Sequence, residues 1–162
     1  MSMSNLATFA AGCFWGIEET FSQVPGVLNT CVGYMGGDRK DPSYEEVCTD
    51  KTGHAEVVEI TYDPAIISYE KLLDVFWHCH NPTLLNRQGP DIGTQYRSVI
   101  FYHNEQQAHF ANEAKQALTA AKKYPNPIVT EIVPATTFYP AEEYHQHYLK
   151  KQGLSSCPVN FE

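Results

Sequence analysis

No run of lysine or arginine and no long apolar stretch occurs in this 162-residue chain. With 11 basic against 19 acidic residues the net charge is −8, which argues against a nucleic-acid or anionic-membrane partner. No segment approaches transmembrane length, and no basic region followed by an apolar one marks a secretory leader at the N-terminus. A soluble, cytoplasmic protein is expected, with no membrane and no nucleic acid among its partners. Cysteine is scarce and odd in number: five residues cannot form a complete set of disulfides within one chain, so a reducing compartment with reactive thiols fits better. Cys-x-x-Cys and His-x-x-x-His spacings are missing. In His78-Cys79-His80 and His145-Gln146-His147 the imidazoles lie two residues apart, about 200° apart on a helix, so neither pair converges on one ion and no metal is expected. Gly36-Gly37 lacks the Lys-Ser/Thr of a phosphate cradle. Without repeats or linkers, residues 1–162 read as a single domain and a monomer, long enough to bury a core without staples.

What is present alternates between two periods. Leu6–Ala11 reads as a short buried strand, and Ile17, Phe21 and Val24 then recur at helical spacing, with Glu18, Glu19 and Ser22 on the other side. Pro25-Gly26 ends that helix, and Val27–Tyr34 reads as a strand with Cys31 in the core. Ser43–Cys48 reads as a helical turn capped by Ser43 or Asp41. In the strand His54–Tyr62, two-residue alternation puts His54, Glu56, Val58, Ile60 and Tyr62 on one face. A helix capped by Ser68 follows, then a long loop, Asn81–Gln95, too rich in Leu, Ile and specific polar groups to be a solvated linker. Tyr96–Tyr102 reads as a strand. Asn104 and Gln107 resemble a capping box for a helix to about Lys123, Ile128–Val133 reads as the last clear strand, and Ala141 to about Lys151 as a final helix. Residues 153–162 have no periodicity and read as a mobile tail. The alternation suits an α+β or α/β sandwich.

Three residues stand out. Cys13 sits between two glycines and beside Phe14 and Trp15, at a strand-to-helix turn. Free N–H groups at the helix start favour an anion, which predicts a lowered thiol pKa, while Gly12 and Gly16 let the backbone turn and leave the sulfur uncovered. A buried structural cysteine is the plainer alternative. Glu56, in line with Val58 and Ile60, is predicted to be desolvated, with a raised pKa that makes it a proton donor near neutral pH. A satisfied salt bridge or a solvated strand end is the competing reading. Cys157, in a Ser/Gly-containing tail, suits a resolving thiol that condenses with a sulfenic acid, against a surface thiol of no consequence. A Cys–His hydrolase would need a histidine near Cys13, for which His54 is the candidate.

Gly12–Gly16, Thr52–Glu56, Asn86–Ser98 and Phe138–Gln146, in this order, together resemble the type A peptide methionine sulfoxide reductases. The resemblance runs from the start of the chain to the last helix. It implies an α+β two-layer sandwich, with a central mixed sheet and a ferredoxin-like core flanked by helices. It also implies reduction of the S epimer of methionine sulfoxide, free or in oxidised proteins, as part of protein repair. By that resemblance Cys13 matches the nucleophile and Glu56 the proton donor. Tyr44 and Tyr96 match the hydroxyls that bind the sulfoxide oxygen, Phe14 and Trp15 the wall for the substrate methyl, and Asp91 a polar residue at the site. Cys157 would capture a Cys13 sulfenic acid as a Cys13–Cys157 disulfide, which thioredoxin or another dithiol reduces, with no bound cofactor. Asn81 stands where an aspartate is expected, and Asp50 where a small residue such as glycine is usual.

The residue types suit the chemistry. A sulfoxide sulfur is a poor electrophile until its oxygen is protonated or strongly hydrogen-bonded, which a neutral Glu56 and two phenols would provide. Two other functions compete. A cysteine-based peroxidase at Cys13 would need chiefly a stabilised thiolate rather than an acid. A non-catalytic methionine-binding module would use Phe14 and Trp15 and survive Cys13→Ser.

Overall fold

The computed structural model describes residues 5–151. Strand β1 (Asn5–Ala11) leads into helix α1 (Phe14–Ser22), followed by β2 (Val27–Met35), α2 (Tyr44–Cys48) and β3 (Ala55–Tyr62). Next come α3 (Tyr69–His78), the two-residue strands β4 (Arg87–Gln88) and β5 (Asp91–Ile92), β6 (Ser98–Tyr102), α4 (Glu105–Ala120), β7 (Glu131–Pro134), β8 (Tyr139–Pro140) and α5 (Tyr148–Lys151). The main sheet runs β7-β6-β1-β3-β2-β8. Only β6 and β7 pair in parallel; the other pairings in it are antiparallel, so the sheet is mixed. Within it, β1-α1-β2-β3-α3-β6 is a β-α-β-β-α-β unit with order β6-β1-β3-β2, the ferredoxin-like arrangement.

The alternation read from the sequence sorts the two faces. Phe9, Val32, Tyr34, Val58, Ile60 and Ile100 are buried against Phe14, Ile17, Phe21, Leu72, Leu73 and Phe76 of α1 and α3, which form the second layer. A smaller cluster of Ala10, Met35, Val57, Val99 and Phe101 lies apart from it, packed against Val133, Ala135 and Phe138. Successive strand residues divide between the two clusters, so Glu56 falls on the helix-facing side with Val58 and Ile60. Helix starts follow their caps: Ser43 and Glu46 form a capping box, Ser68 Oγ accepts from Lys71 N at 3.1 Å, and Asn104 Oδ1 accepts from Gln107 N at 2.9 Å.

Local periodicity misjudged several segments. Tyr96 lies in a 3-10 turn (Thr94–Tyr96) before β6 rather than in that strand, and β7 is followed by one more short strand. The stretch from Ala141 is not one helix. It has a 3-10 turn (Glu143–His145), then His147 at φ +54°, then the four-residue α5. Gln146 decides this, since its side chain bonds both Val32 N and Val32 O at 2.9 Å, tying the segment to the edge of β2 next to its pairing with β8 instead of letting it coil. Glu18, expected outward, is buried, and Cys31 is half-exposed rather than core. The C-terminal tail with Cys157 lies outside the described residues.

Candidate active site

Cys13 is the extended residue that caps α1, directly after Gly12 at φ +98°. Gly12 needs to be glycine twice over. Its backbone is left-handed, and a Cβ there would come within 2.9 Å of Gln88 Cβ. Gln88 brackets Asn81, accepting from Asn81 N at 3.0 Å and donating to Asn81 O, and so folds the Asn81–Gln95 loop back onto this turn. Gly16 differs. It is helical and a Cβ on it would meet nothing within 4 Å, so the turn does not require it.

Glu56 is 1% exposed, and its Oε1 accepts from the Phe14 amide at 3.2 Å, one residue along from Cys13. Its Oε2 is buried without a hydrogen-bond partner. Burial raises its pKa to about 8; the Phe14 amide pulls down and the charge of Asp91 pushes up. The predicted neutral carboxyl is present, and the salt-bridge and solvated readings are not.

The predicted lowering of the Cys13 pKa is overturned, since burial pushes the thiol up to about 12. Glu56 and Asp91 push in the same direction when ionised, and the amides of Trp15 and Gly16 pull the other way. The helix-start N–H groups therefore act in the expected direction, but the loss of water outweighs them. Near pH 7 the site therefore holds two protons, one on sulfur and one on carboxyl.

Tyr44 and Tyr96 come from separate elements, α2 and the 3-10 turn before β6. Tyr44, first in α2, stacks on Phe14 and Trp15, each at 6.3 Å between ring centres. Burial raises both phenol pKa values, and the Glu56 charge raises both further, so both hydroxyls stay protonated. Asp91 and Cys13 also act on Tyr96. Asp50, at φ +66°, accepts from Thr94 N at 2.8 Å, and Arg97 bonds Thr94 O and Gly53 O at 2.9 Å. These bonds fasten the turn carrying Tyr96 to the loop after α2. The left-handed backbone of Asp50 is also the physical reason a glycine would suit that position.

Several residues here carried no assigned role from sequence. His145 is fully buried, with Nδ1 accepting from Trp15 Nε1 at 2.9 Å and Nε2 without a partner. Burial lowers its pKa, so it is a neutral ring that orients the indole, and it lies 4.4 Å from the Tyr44 ring centre. Tyr148 stacks on Trp15 at 4.0 Å. Glu142 accepts from Tyr34 Oη at 3.1 Å and from Tyr44 N at 3.0 Å, holding α2 against the sheet. The signal for Glu142 and His145 was the Phe138–Gln146 motif itself, but no periodicity pointed to their partners, and Tyr148 lies outside that motif. His54, the candidate for a Cys–His pair, is committed elsewhere: one ring nitrogen accepts from Gly37 N at 3.0 Å and the other bonds Arg39 O at 2.6 Å.

A cleft of about 420 Å³ opens beside Cys13, walled by Trp15, Gly16, Ile17, Thr20, Gly89, Pro90, Asp91 and Leu149. Phe14, Tyr44, Glu56 and Tyr96 are not on its wall. Among the described residues no group of three or more His, Cys, Asp or Glu side chains is gathered as metal ligands would be.

Residues 5–162 match the family model described as peptide methionine sulfoxide reductase. The chain is 62% identical over 151 residues to the peptide methionine sulfoxide reductase MsrA of Geobacter sulfurreducens, covering 93% of each chain. With the MsrA of Methanosarcina acetivorans it shares 62% over 148 residues, covering 91% of this chain and 79% of that one. Among solved structures, reduced Mxr1 of Saccharomyces cerevisiae superposes with a TM-score of 0.89 at 38% identity, covering 98% of this chain and 91% of that one. Mxr1 in complex with Trx2 gives 0.64 at 26% identity, covering 96% and 87%. A buried neutral acid bonded one residue from a cysteine, with two protonated phenols under its field, is thus joined to likeness along almost the whole chain, and this protein belongs to the type A peptide methionine sulfoxide reductase family.

Proposed function

We propose that this enzyme, a methionine sulfoxide reductase working by thiol chemistry, acts on the S epimer, free or in oxidised proteins, with Cys13 as nucleophile and Glu56 as general acid. The observation that carries the assignment is Glu56 itself: one oxygen is engaged by the Phe14 amide, the other is buried and unpartnered, and the group is largely neutral at pH 7. With Oε1 accepting, the acidic proton sits on Oε2, free to go to a bound sulfoxide oxygen.

Protonation makes the sulfoxide sulfur electrophilic while Tyr44 and Tyr96 donate to the same oxygen. The Cys13 thiol gives up its proton as its sulfur attacks, and that proton restores Glu56. The oxygen ends on Cys13 as a sulfenic acid, methionine leaves, and no net proton is gained or lost. A raised Cys13 pKa fits this scheme, because the thiol proton is needed to recharge the acid. It disfavours a peroxidase, which depends on a standing thiolate. Trp15, held by His145, and Phe14 form the apolar slot for the S-methyl, and that slot with the acid and phenols dictates which epimer fits. Asp91 contributes a polar rim.

Cys157 captures the sulfenic acid as a Cys13–Cys157 disulfide, and thioredoxin or a small dithiol resets the enzyme, as the Mxr1–Trx2 complex supports by analogy. The cytosol, where such a reductant is at hand, is the proposed location, and the monomer the working unit. No bound cofactor takes part in this scheme. The test is incubation with each epimer of a methionine sulfoxide peptide plus dithiothreitol, read by mass. Loss of 16 Da from the S epimer alone, abolished by Cys13→Ser, is expected from the departure of one oxygen atom. Turnover of the R epimer at a similar rate overturns the epimer assignment, and activity in Cys13→Ser overturns the nucleophile.

A further inference from the structure

The cleft beside Cys13 has no task in the reaction described above. Its wall includes Cys13, Trp15 and Asp91 of the proposed sulfoxide site and extends along α1 through Gly16, Ile17 and Thr20. At about 420 Å³ it is in the size range of true ligand sites. Gly16 keeps it open. Glycine is a poor helix former, this one lies inside α1, and a Cβ would point into empty space rather than into a neighbour. What its absence of side chain provides is room on the cleft wall.

The polar groups of the wall show what kind of group the cleft receives. Thr20 Oγ1 donates to Gly16 O at 3.0 Å, the Trp15 indole to His145, and Gln88 is spent on Asn81. Deeper in, Cys79 Sγ donates to Phe76 O at 3.3 Å, and the His80 ring nitrogens bond Phe76 O at 2.8 Å and Ser98 Oγ at 2.7 Å. Burial lowers the His80 pKa to about 4, so that ring is neutral at pH 7. With these bonds made inside the protein, the wall offers a ligand chiefly the hydrocarbon of Ala11, Ile17, Pro90 and Leu149, which rewards an apolar group. Two further facts choose its source. Cys13 stands on the wall, so the occupant lies next to the bound sulfoxide, and in a polypeptide the neighbouring Cα is only about 3.8 Å from that of the methionine sulfoxide. The apolar surface also continues on the loop that carries Pro90 and Asp91, where Ile92 is 73% and Leu85 67% exposed. An extended surface of this kind has a use for a chain and none for a free amino acid.

We infer that this cleft is a subsite for an apolar side chain flanking methionine sulfoxide in a protein substrate, so that apolar oxidised segments are preferred over glycine-flanked ones. The inference rests on the reading of this enzyme as one that reduces the S epimer in proteins. Apolar segments are where the lesion does structural damage, since oxidation turns a flexible apolar side chain into a polar one inside a core. Selectivity of this kind leaves the acid, the phenols and the sulfur untouched, and acts through binding of the neighbouring residue alone.

The experiment follows methionine formation in single turnovers of the full-length chain without reductant, over a range of substrate concentrations. The substrates are free methionine S-sulfoxide and short capped peptides in which it is flanked by leucine or by glycine, on either side. In the wild type, leucine on one side should raise the ratio of rate to half-saturating concentration about tenfold over the glycine peptide. Gly16→Leu, whose added side chain occupies the cleft, should abolish that preference while leaving free methionine sulfoxide at the wild-type rate. Thr20→Phe fills the cleft from the next turn of α1 and should do the same, so the result does not hang on the folding of one variant. Equal wild-type ratios for leucine and glycine peptides overturn the inference. So does a preference that survives both variants, or a loss that falls equally on the free amino acid, which would make the cleft part of the sulfoxide site itself. Unchanged peptide preference with only the later disulfide step slowed also overturns it, by giving the cleft to the chain's own end. A wild type that reduces the free amino acid but none of the peptides removes instead the reading on which the inference rests, and the inference with it.

Discussion

Two glutamates, Glu18 and Glu56, are each 1% exposed and each reach α1 or the turn beside it, yet they have opposite characters. Glu18 is saturated. Its Oε2 accepts from Thr30 Oγ1 at 2.9 Å and its Oε1 from His147 N at 2.6 Å, so it locks the His145–His147 segment to α1. Glu56 has a single amide donor on one oxygen and none on the other. Burial alone therefore does not make a proton donor. Glu18, with a donor on each oxygen, serves as a clamp, whereas Glu56, left short of donors in a buried site, holds its proton near neutral pH and can give it away.

The sharpest way to break this comparison is to make the same change in both. Glu56→Gln should lower turnover by about 10²- to 10⁴-fold, the usual loss on removing a general acid. The direction of its pH dependence follows from the raised pKa. The wild-type rate should fall as pH rises through about 8, where the acid loses its proton, and the gap to Glu56→Gln should narrow above that point. A pH–rate profile of the variant that keeps the same falling limb would assign it to another group. Glu18→Gln should leave the limb where it is.

Stability separates the pair next. The Glu56 pKa is raised on folding, so its contribution to stability is complete below about 4.5 and is lost as pH rises through about 8. Glutamine never has to ionise. Glu56→Gln should thus gain on the wild type between pH 6 and 9, by a few kcal/mol at most, in denaturant melts at each pH. Glu18→Gln should instead lose about 1–3 kcal/mol at both, because it trades an acceptor for an unwanted donor. A Glu18→Gln protein as stable as the wild type would show that the clamp is idle.

Smaller effects probe what each acid's neighbourhood holds in place. His145→Phe keeps the ring but removes the acceptor for the Trp15 indole, worth about 1 kcal/mol. The expected result is a KM raised about fivefold with kcat changed less, and equal falls in kcat and kcat/KM would mean that Trp15 is not the methyl wall. Smallest is Asp50. Asp50→Gly relieves a left-handed backbone but frees Thr94 N, so stability should stay within about 0.5 kcal/mol while kcat drops about twofold to fivefold. Asp50→Asn, which keeps an acceptor oxygen, should restore the rate.

Much of this was legible without coordinates because it depends on near neighbours in the chain. Alternation along β3 put Glu56 on the core face, the Gly12-Cys13 turn placed a thiol at a helix start, and Ser43 and Ser68 announced their helices. The order of the motifs carried the family. Tertiary packing alone decided the proton inventory. Whether Cys13 is an anion depends on how much water its neighbours exclude, and here that exclusion outweighs the helix start that the local sequence displays. The same holds for the broken final segment, where the edge of β2 captures Gln146 across more than a hundred residues, and for the division of labour between Glu18 and Glu56. Backbone preference acts over a few residues and can be read along the chain. Desolvation and donor count are sums over everything the fold brings near a group, and no stretch of sequence contains that sum.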